Sequence, residues 1–324
     1  MRYVLALDAG GTKCDALFVQ EDGMVLGWGH VGAESAGNGR TFVGFGRDPR
    51  SINQAIQQAM GGARCDELDL TGFAYRLPLD VFSEENFGLL HLHRIFEYEP
   101  AYVLLEEPAG IIALAGTGAL VFTRTRDGRE LHLDGLGPQL GDFGGGYQIG
   151  LLGLQATAKA GWHPRHQTSL APRIMQVIKE ERDILYHEAL IEFMLTPRDR
   201  TDIASFARIV DEEARTGDRI AIGILQKAAD DLAETVWDAV HQLGIAEEDY
   251  PVIGLGSIAL KSEIFWERLR GQIHAFAPRF RFLRPEFPPV AGMALIVLNR
   301  IGAADPQVLR ANLLGSLKEL LATK

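Results

Sequence analysis

Three glycine turns carry residues that could act on a phosphate: Asp8-Ala9-Gly10-Gly11-Thr12-Lys13, Gly116-Thr117-Gly118-Ala119 and Gly254-Leu255-Gly256-Ser257. Glycine lets the backbone approach a phosphate closely, successive amides in a turn form an anion-binding nest, and a Thr hydroxyl adds a donor without bulk. In the first turn Asp8 could hold a hard cation and Lys13 could meet an anion. Two plainer readings stay open there, Asp8 as a strand-end turn former and Lys13 as a solvated side chain.

Each turn follows an apolar run. VLAL precedes Asp8 and ALFV follows Lys13; IIALA and ALVF flank Gly116 to Gly118; PVI precedes Gly254. The first two units read as strand, turn, strand, and their likeness suggests an internal duplication. No GxxxxGK[ST] occurs, which excludes a P-loop, and the first turn leads into a second strand rather than a helix, against a dinucleotide-binding GxGxxG unit.

The elements that must position these turns alternate in type. Strand character recurs at residues 3–7, 16–20, 25–30 and 69–75, with a helical pattern at 51–60. After the second turn come a glycine cluster, GLGPQLGDFGGGYQIG, and helical patterns at 151–160, 176–195, 202–216 and 219–243. A strand, a helix at 262–270, a strand at 279–283 and a helix at 292–300 complete the order, which predicts mixed sheets with helical crossovers.

With 324 residues, two domains are expected, at 1–114 and 115–299, with a helix at 300–324 returning to the first. A net charge of -11 argues against a duplex-binding surface, which needs clustered Lys and Arg. Cys14 and Cys65 are the only cysteines, too few for a disulfide framework or a four-cysteine metal site, and a reducing cytoplasmic setting fits. The apolar run at 111–122 is too short to span a bilayer, so no membrane role is expected. His91 and His93 share one strand face, with no third metal ligand in view.

Taken together, the turns resemble those of the superfamily of sugar kinases, heat-shock chaperone ATPases and actin. Within it the chain is similar to the N-acetylglucosamine kinase and BadF-type ATPase family. DAGGTK resembles that family's first phosphate loop, IIALAGTGA its second and VIGLGSIAL its adenosine segment. LGDFGGGYQIG is similar to its LGDEGSGYxIG segment, PPVAGMALIVL to its second connecting helix, and residues 212–236 to its long C-terminal helix. The resemblance covers nearly the whole chain in order. It implies an α/β protein of two ribonuclease-H-like, actin-like ATPase lobes with a nucleotide cleft, transferring phosphate from ATP to an amino sugar or related sugar, possessing no nucleic-acid partner and open to homodimerisation.

The resemblance also implies roles for residues. Asp8 would hold Mg²⁺, through water as that cation prefers. Gly10, Gly11, Thr12 and Lys13 with Gly116, Thr117 and Gly118 would grip the phosphates, and Gly254, Gly256 and Ser257 would line the adenosine pocket. Asn38 resembles the family's sugar-loop Asn, or else makes an Asn-Gly turn; Asp142 would accept a sugar hydroxyl, or else cap a helix. The family's general base is an Asp at the start of the first connecting helix, and RIFEYEPAYVLLEEPAG at 94–110 has none. Glu97 or Glu99 competes for the place, Glu99 as an expected N-cap before Pro100, and a missing base would leave a nucleotide-binding regulator. The cysteine contexts through which BadF-type activators hold an iron-sulfur cluster are absent from the sequence.

Overall fold

The computed structural model describes residues 2–10, 13–32, 49–63, 65–73, 87–96, 98–179, 185–198, 200–302 and 304–322. Contacts divide the chain into two units, Met1–Pro108 with Pro285–Lys324, and Ala109–Arg284.

The first unit is built on β1 (Arg2–Ala9), β2 (Lys13–Gln20), β3 (Val25–Gly32), β4 (Cys65–Phe73) and β5 (Phe87–Ile95), in sheet order β3-β2-β1-β4-β5. β1 pairs antiparallel with β2 and parallel with β4. Both faces of the sheet are covered, which is why the strands read as unbroken apolar runs. Leu5, Leu7, Ala16, Phe18, Leu68 and Leu70 pack on α1 (Pro49–Met60). The alternate residues Val4, Ala6, Leu17 and Val19 pack on α10 (Pro289–Arg300) and α11 (Pro306–Ala322). A short helix, α2 (Glu99–Leu105), lies so close to α10 that a Cβ on Gly292 would stand 2.5 Å from the Pro100 carbonyl oxygen.

The second unit repeats the sheet with β6 (Gly110–Ala115), β7 (Ala119–Arg124), β8 (Glu130–Asp134), β9 (Pro251–Leu255) and β10 (Arg281–Leu283), in order β8-β7-β6-β9-β10. The two sheets share one strand order and one pattern of directions, the mixed ribonuclease-H-like arrangement, so the duplication suggested by the sequence is present in the topology. Around this sheet lie α3 (Gly146–Lys159), α4 (Leu170–Lys179), α5 (Tyr186–Leu195), α6 (Arg200–Arg215), α7 (Arg219–Leu243), α8 (Gly256–Lys261) and α9 (Glu263–Phe276). α7 runs 25 residues because Asp218 caps its first turn, accepting from the Ile220 and Ala221 amides, and Gly244 ends it in a left-handed conformation.

Several sequence expectations differ from these elements. The division at 114/115 falls inside β6, whose ladder with β7 and β9 keeps it whole, and the one at 299/300 falls inside α10, which packs on β1. The single helix expected at 176–195 is two, because Leu185 has an extended backbone and α5 starts afresh behind it. Among the described residues no helix is long and apolar enough to cross a membrane.

Candidate functional site

In the first unit β1 ends at Asp8 and Ala9, and the Gly10 amide closes the turn on the Lys13 carbonyl at 2.9 Å. Asp8 is buried, as is Asp15, its direct neighbour across the β1–β2 ladder; Asp15 in turn faces His30 across β2–β3. Lys13 projects from the same face, and its Nζ donates to Asp15 Oδ2 at 2.6 Å. Burial works against the charge on Lys13, but Asp15 and Asp8 outweigh it and hold the ammonium above its ordinary pKa. Burial likewise opposes ionisation of Asp15, yet the hydrogen bond from His30 and the charge of Lys13 keep its carboxyl below the usual range. Cys14 points the other way, into the core, where burial and the two carboxylates push its thiol up to about 12. Gly11 and Thr12, assigned to the phosphate loop, lie outside the described residues, as do Asn38 and Glu97.

α2 begins one residue earlier than expected: Tyr98 is the N-cap, Glu99 the first helical residue and Pro100 the second. Glu99 Oε2 accepts from the Phe96 amide at 3.3 Å and stands 3.8 Å from an Arg300 guanidinium nitrogen.

In the second unit the turn joining β6 to β7 gives up its carbonyls inward. Gly116 and Thr117 accept from the first two amides of α3, Gly146 at 2.7 Å and Tyr147 at 2.9 Å, while Gly118 accepts from Gly116 at 2.9 Å. The amide face of the turn is then the one suited to an anion. Asp142 packs directly beneath it, since a Cβ on Gly118 would lie 2.5 Å from Asp142 Oδ2. Asp142 is buried in a left-handed conformation (φ 60°) that Asp134 imposes by accepting from the amides of both Asp142 (2.6 Å) and Phe143 (2.8 Å). Burial raises the Asp142 carboxyl above its ordinary pKa, against the opposing pull of the Ala119 amide and Arg200. Its Oδ2 makes no hydrogen bond among the described residues, and the nearest cation is Arg200, at 3.6 Å.

The third turn meets the second. Gly256 opens α8 at φ +82°, and a Cβ there would strike the Ala115 carbonyl and stand 2.6 Å from the Gly116 nitrogen. Gly254, assigned to the adenosine pocket, has its α-carbon packed against the Trp266 ring, which a Cβ would meet at 2.5 Å. Ser257 is exposed on α8. Sequence reasoning missed Asp15, His30, Asp134 and Arg200, each of which supports its motif through pairing or packing that no local pattern announces.

The sequence signature of the BadF/BadG/BcrA/BcrD ATPase family matches residues 5–296, which include all three turns. The chain belongs to that family. As a BadF/BadG/BcrA/BcrD-type ATPase it is 31% identical over 320 residues to the N-acetyl-D-glucosamine kinase of Dictyostelium discoideum, covering 91% of this chain and 97% of that one. It is 22% identical over 312 residues to the N-acetylmuramic acid/N-acetylglucosamine kinase of Clostridium acetobutylicum, covering 91% and 98%. The crystal structure of a Chromobacterium violaceum protein assigned as an N-acetylglucosamine kinase superposes with a TM-score of 0.62 at 21% identity, over 92% of this chain and 99% of that one.

Proposed function

We propose that this chain is an ATP-dependent kinase that phosphorylates a hydroxyl of an amino sugar or a closely related sugar. The observation that carries this is the pair of matching hairpins, one per sheet, each ending in a glycine turn with a buried carboxylate beside it, Asp8 in one unit and Asp142 in the other. The full-length likeness to amino-sugar kinases supports the same reading.

Phosphoryl transfer needs positioning and charge stabilisation more than covalent chemistry. The amide face of the Gly116–Gly118 turn and the Lys13 ammonium would hold phosphate oxygens. The buried Asp8 carboxylate at the end of β1 suits Mg²⁺, a cation that takes few carboxylates and keeps waters and phosphates as its other ligands. Asp8 would hold it and, when bound, it would neutralise developing phosphate charge. Asp142, with one buried oxygen lacking a hydrogen bond, would accept from an acceptor hydroxyl. Gly256 and Ser257 would border the adenosine.

A second reading, a nucleotide-binding regulator, is favoured by one observation. Glu99 is occupied with the Phe96 amide and Arg300, as a helix-end residue would be. Coupled ADP release across N-acetylglucosamine, glucosamine, N-acetylmuramic acid and glucose decides between them. Stimulation by an amino sugar supports the kinase; Mg²⁺-ATP binding with no acceptor-dependent turnover supports the regulator. Glu99→Gln is expected to lower turnover about a hundredfold if Glu99 is the base, and unchanged turnover removes it from that role.

A further inference from the structure

One polar row runs across the floor of the first hairpin. Asp8 on β1 stands beside Asp15 on β2, and Asp15 beside His30 on β3, with Lys13 two residues along on the same face. Both oxygens of Asp15 are taken. Oδ2 accepts from Lys13 Nζ at 2.6 Å, while Oδ1 lies 2.6 Å from His30 Nδ1 and accepts from the Trp28 indole at 3.3 Å. Because a carboxylate can only accept, Nδ1 of His30 carries the proton in that contact. The Asp15 side chain is 2% exposed, whereas Lys13 is 42% and His30 43% exposed. With three of its roughly four lone-pair sites taken and its side chain enclosed, this carboxylate is poorly placed to hold a metal ion or accept from an acceptor hydroxyl. What it can do is hold something else still.

We propose that Asp15 is a positioning residue for the nucleotide, fixing the Lys13 ammonium so that its remaining donors meet the phosphates of ATP. The proposal rests on the kinase reading given above. A lysine side chain has a flexible four-carbon stem and loses much freedom on binding a phosphate; one already anchored has lost it beforehand. An ammonium has three N–H donors, and among the described residues Asp15 occupies one, leaving two for a ligand. The backbone of Lys13 is fixed as well, by the Gly10 amide on its carbonyl. His30 and Trp28 brace the carboxylate from its far oxygen, so the Lys13–Asp15 pair cannot swing as one body. The charges agree with this arrangement: between Asp8 and Asp15, the Lys13 ammonium offsets carboxylates that would otherwise repel a polyphosphate.

The test is a double-mutant cycle on the full chain. Mg²⁺ with a non-hydrolysable ATP analogue is titrated by calorimetry into the parent, Asp15→Asn, Lys13→Met and the double variant, and KM for ATP and for the sugar is measured in parallel. Asp15→Asn and Lys13→Met are each expected to weaken the nucleotide about tenfold, or about 1.4 kcal/mol, with KM for the sugar within about twofold. The double variant is expected to bind no more weakly than Lys13→Met alone, since Asp15 acts through Lys13. Equal losses from Asp15→Asn with and without Lys13 overturn the proposal, because a merely structural carboxylate behaves so. Unchanged affinity in Asp15→Asn while Lys13→Met binds weakly overturns it too. If Asp15→Asn does not fold, His30→Asn at a half-exposed position loosens the brace instead; a smaller rise in KM for ATP, absent in the Lys13→Met background, is expected, and no rise overturns the proposal. A parent chain that binds no nucleotide removes the kinase reading itself, and is told apart by needing no variant.

Discussion

Asp142 illustrates a residue whose stability and function pull in opposite directions. Its buried carboxyl sits above the ordinary pKa, chiefly through desolvation, so between the ordinary value and the raised one the folded state binds more protons than the unfolded chain. The contribution of this group to stability therefore falls as pH rises through that window, and at neutral pH its charge is a standing cost. Asn has the same shape and no charge, and its amide nitrogen can take the place of Oδ2, which makes no hydrogen bond among the described residues. Asp142→Asn is expected to melt at or above the parent temperature at neutral pH, with the difference shrinking toward acid, while turnover falls roughly a hundredfold through loss of a charged acceptor. Calorimetric melts across pH beside ADP-release rates check both halves. Asp15 and Asp69 carry the opposite sign. Burial opposes their ionisation, but His30 and Lys13 hold Asp15 low, and Arg2 and His93, each bonded to Asp69, hold it low. Their stabilisation is complete above the unfolded carboxyl value and is lost as pH falls through the depressed one. Of these residues the sequence made Asp8, Lys13 and Asp142 legible, since each belongs to a motif. Asp15 and His30 were not legible, because 15 positions separate them and only the β2–β3 register makes them neighbours.

At the scale of elements, strands buried on both faces announced themselves most plainly. VLAL and ALFV in the first sheet and IIALA in the second have uninterrupted apolar runs because these central strands are covered on both faces. The edge strand β8, reading ELHLD, mixes charge and imidazole into the pattern and escaped notice, and β5, FGLLHLHRI, was legible only as the strand face shared by His91 and His93. Glycines show the same limit, for identical letters carry unlike constraints. Gly256 sits at φ +82° against the Ala115 carbonyl and Gly116, whereas Gly223 lies inside α7 with nothing within 4 Å of a would-be Cβ. Gly256→Ala is expected to destabilise the second unit by about 1–3 kcal/mol and to weaken nucleotide binding by displacing the turn. Gly223→Ala is expected to stabilise by up to about 1 kcal/mol with binding unchanged. Thermal melts and nucleotide titrations of the two variants test the contrast; equal effects of the two would contradict the assigned packing.

At the scale of the molecule, the order of the chain and the order of folding units differ. The hydrophobic core of the second unit is drawn wholly from residues 109–280: β6, β7 and β9 against α3 to α9. The first unit has no such independence. One face of its sheet is covered by α10 and α11, from the far end of the chain, where Val290, Met293, Val297, Leu309, Leu313 and Leu317 are all buried. Without those two helices Val4, Ala6, Leu17 and Val19 would face water, a loss of about 1.5–3 kcal/mol for each large side chain exposed. Added to the exposure of the helices' own partners, that exceeds what a domain of this size can lose and stay folded. A fragment of residues 109–284 is therefore expected to fold alone, with helical circular dichroism and a cooperative melt. A chain ending at residue 288 is expected to keep that one transition while its first unit stays unfolded, with rapid amide exchange in β1 and β2 and slow exchange in β6 and β7. Adding a peptide of residues 285–324 in trans should restore slow exchange in β1 and β2, because the missing face would be covered again. Slow exchange in β1 and β2 of the truncated chain without the peptide would show that the first sheet holds together without α10 and α11, and that the chain's two ends are not bound into one folding unit.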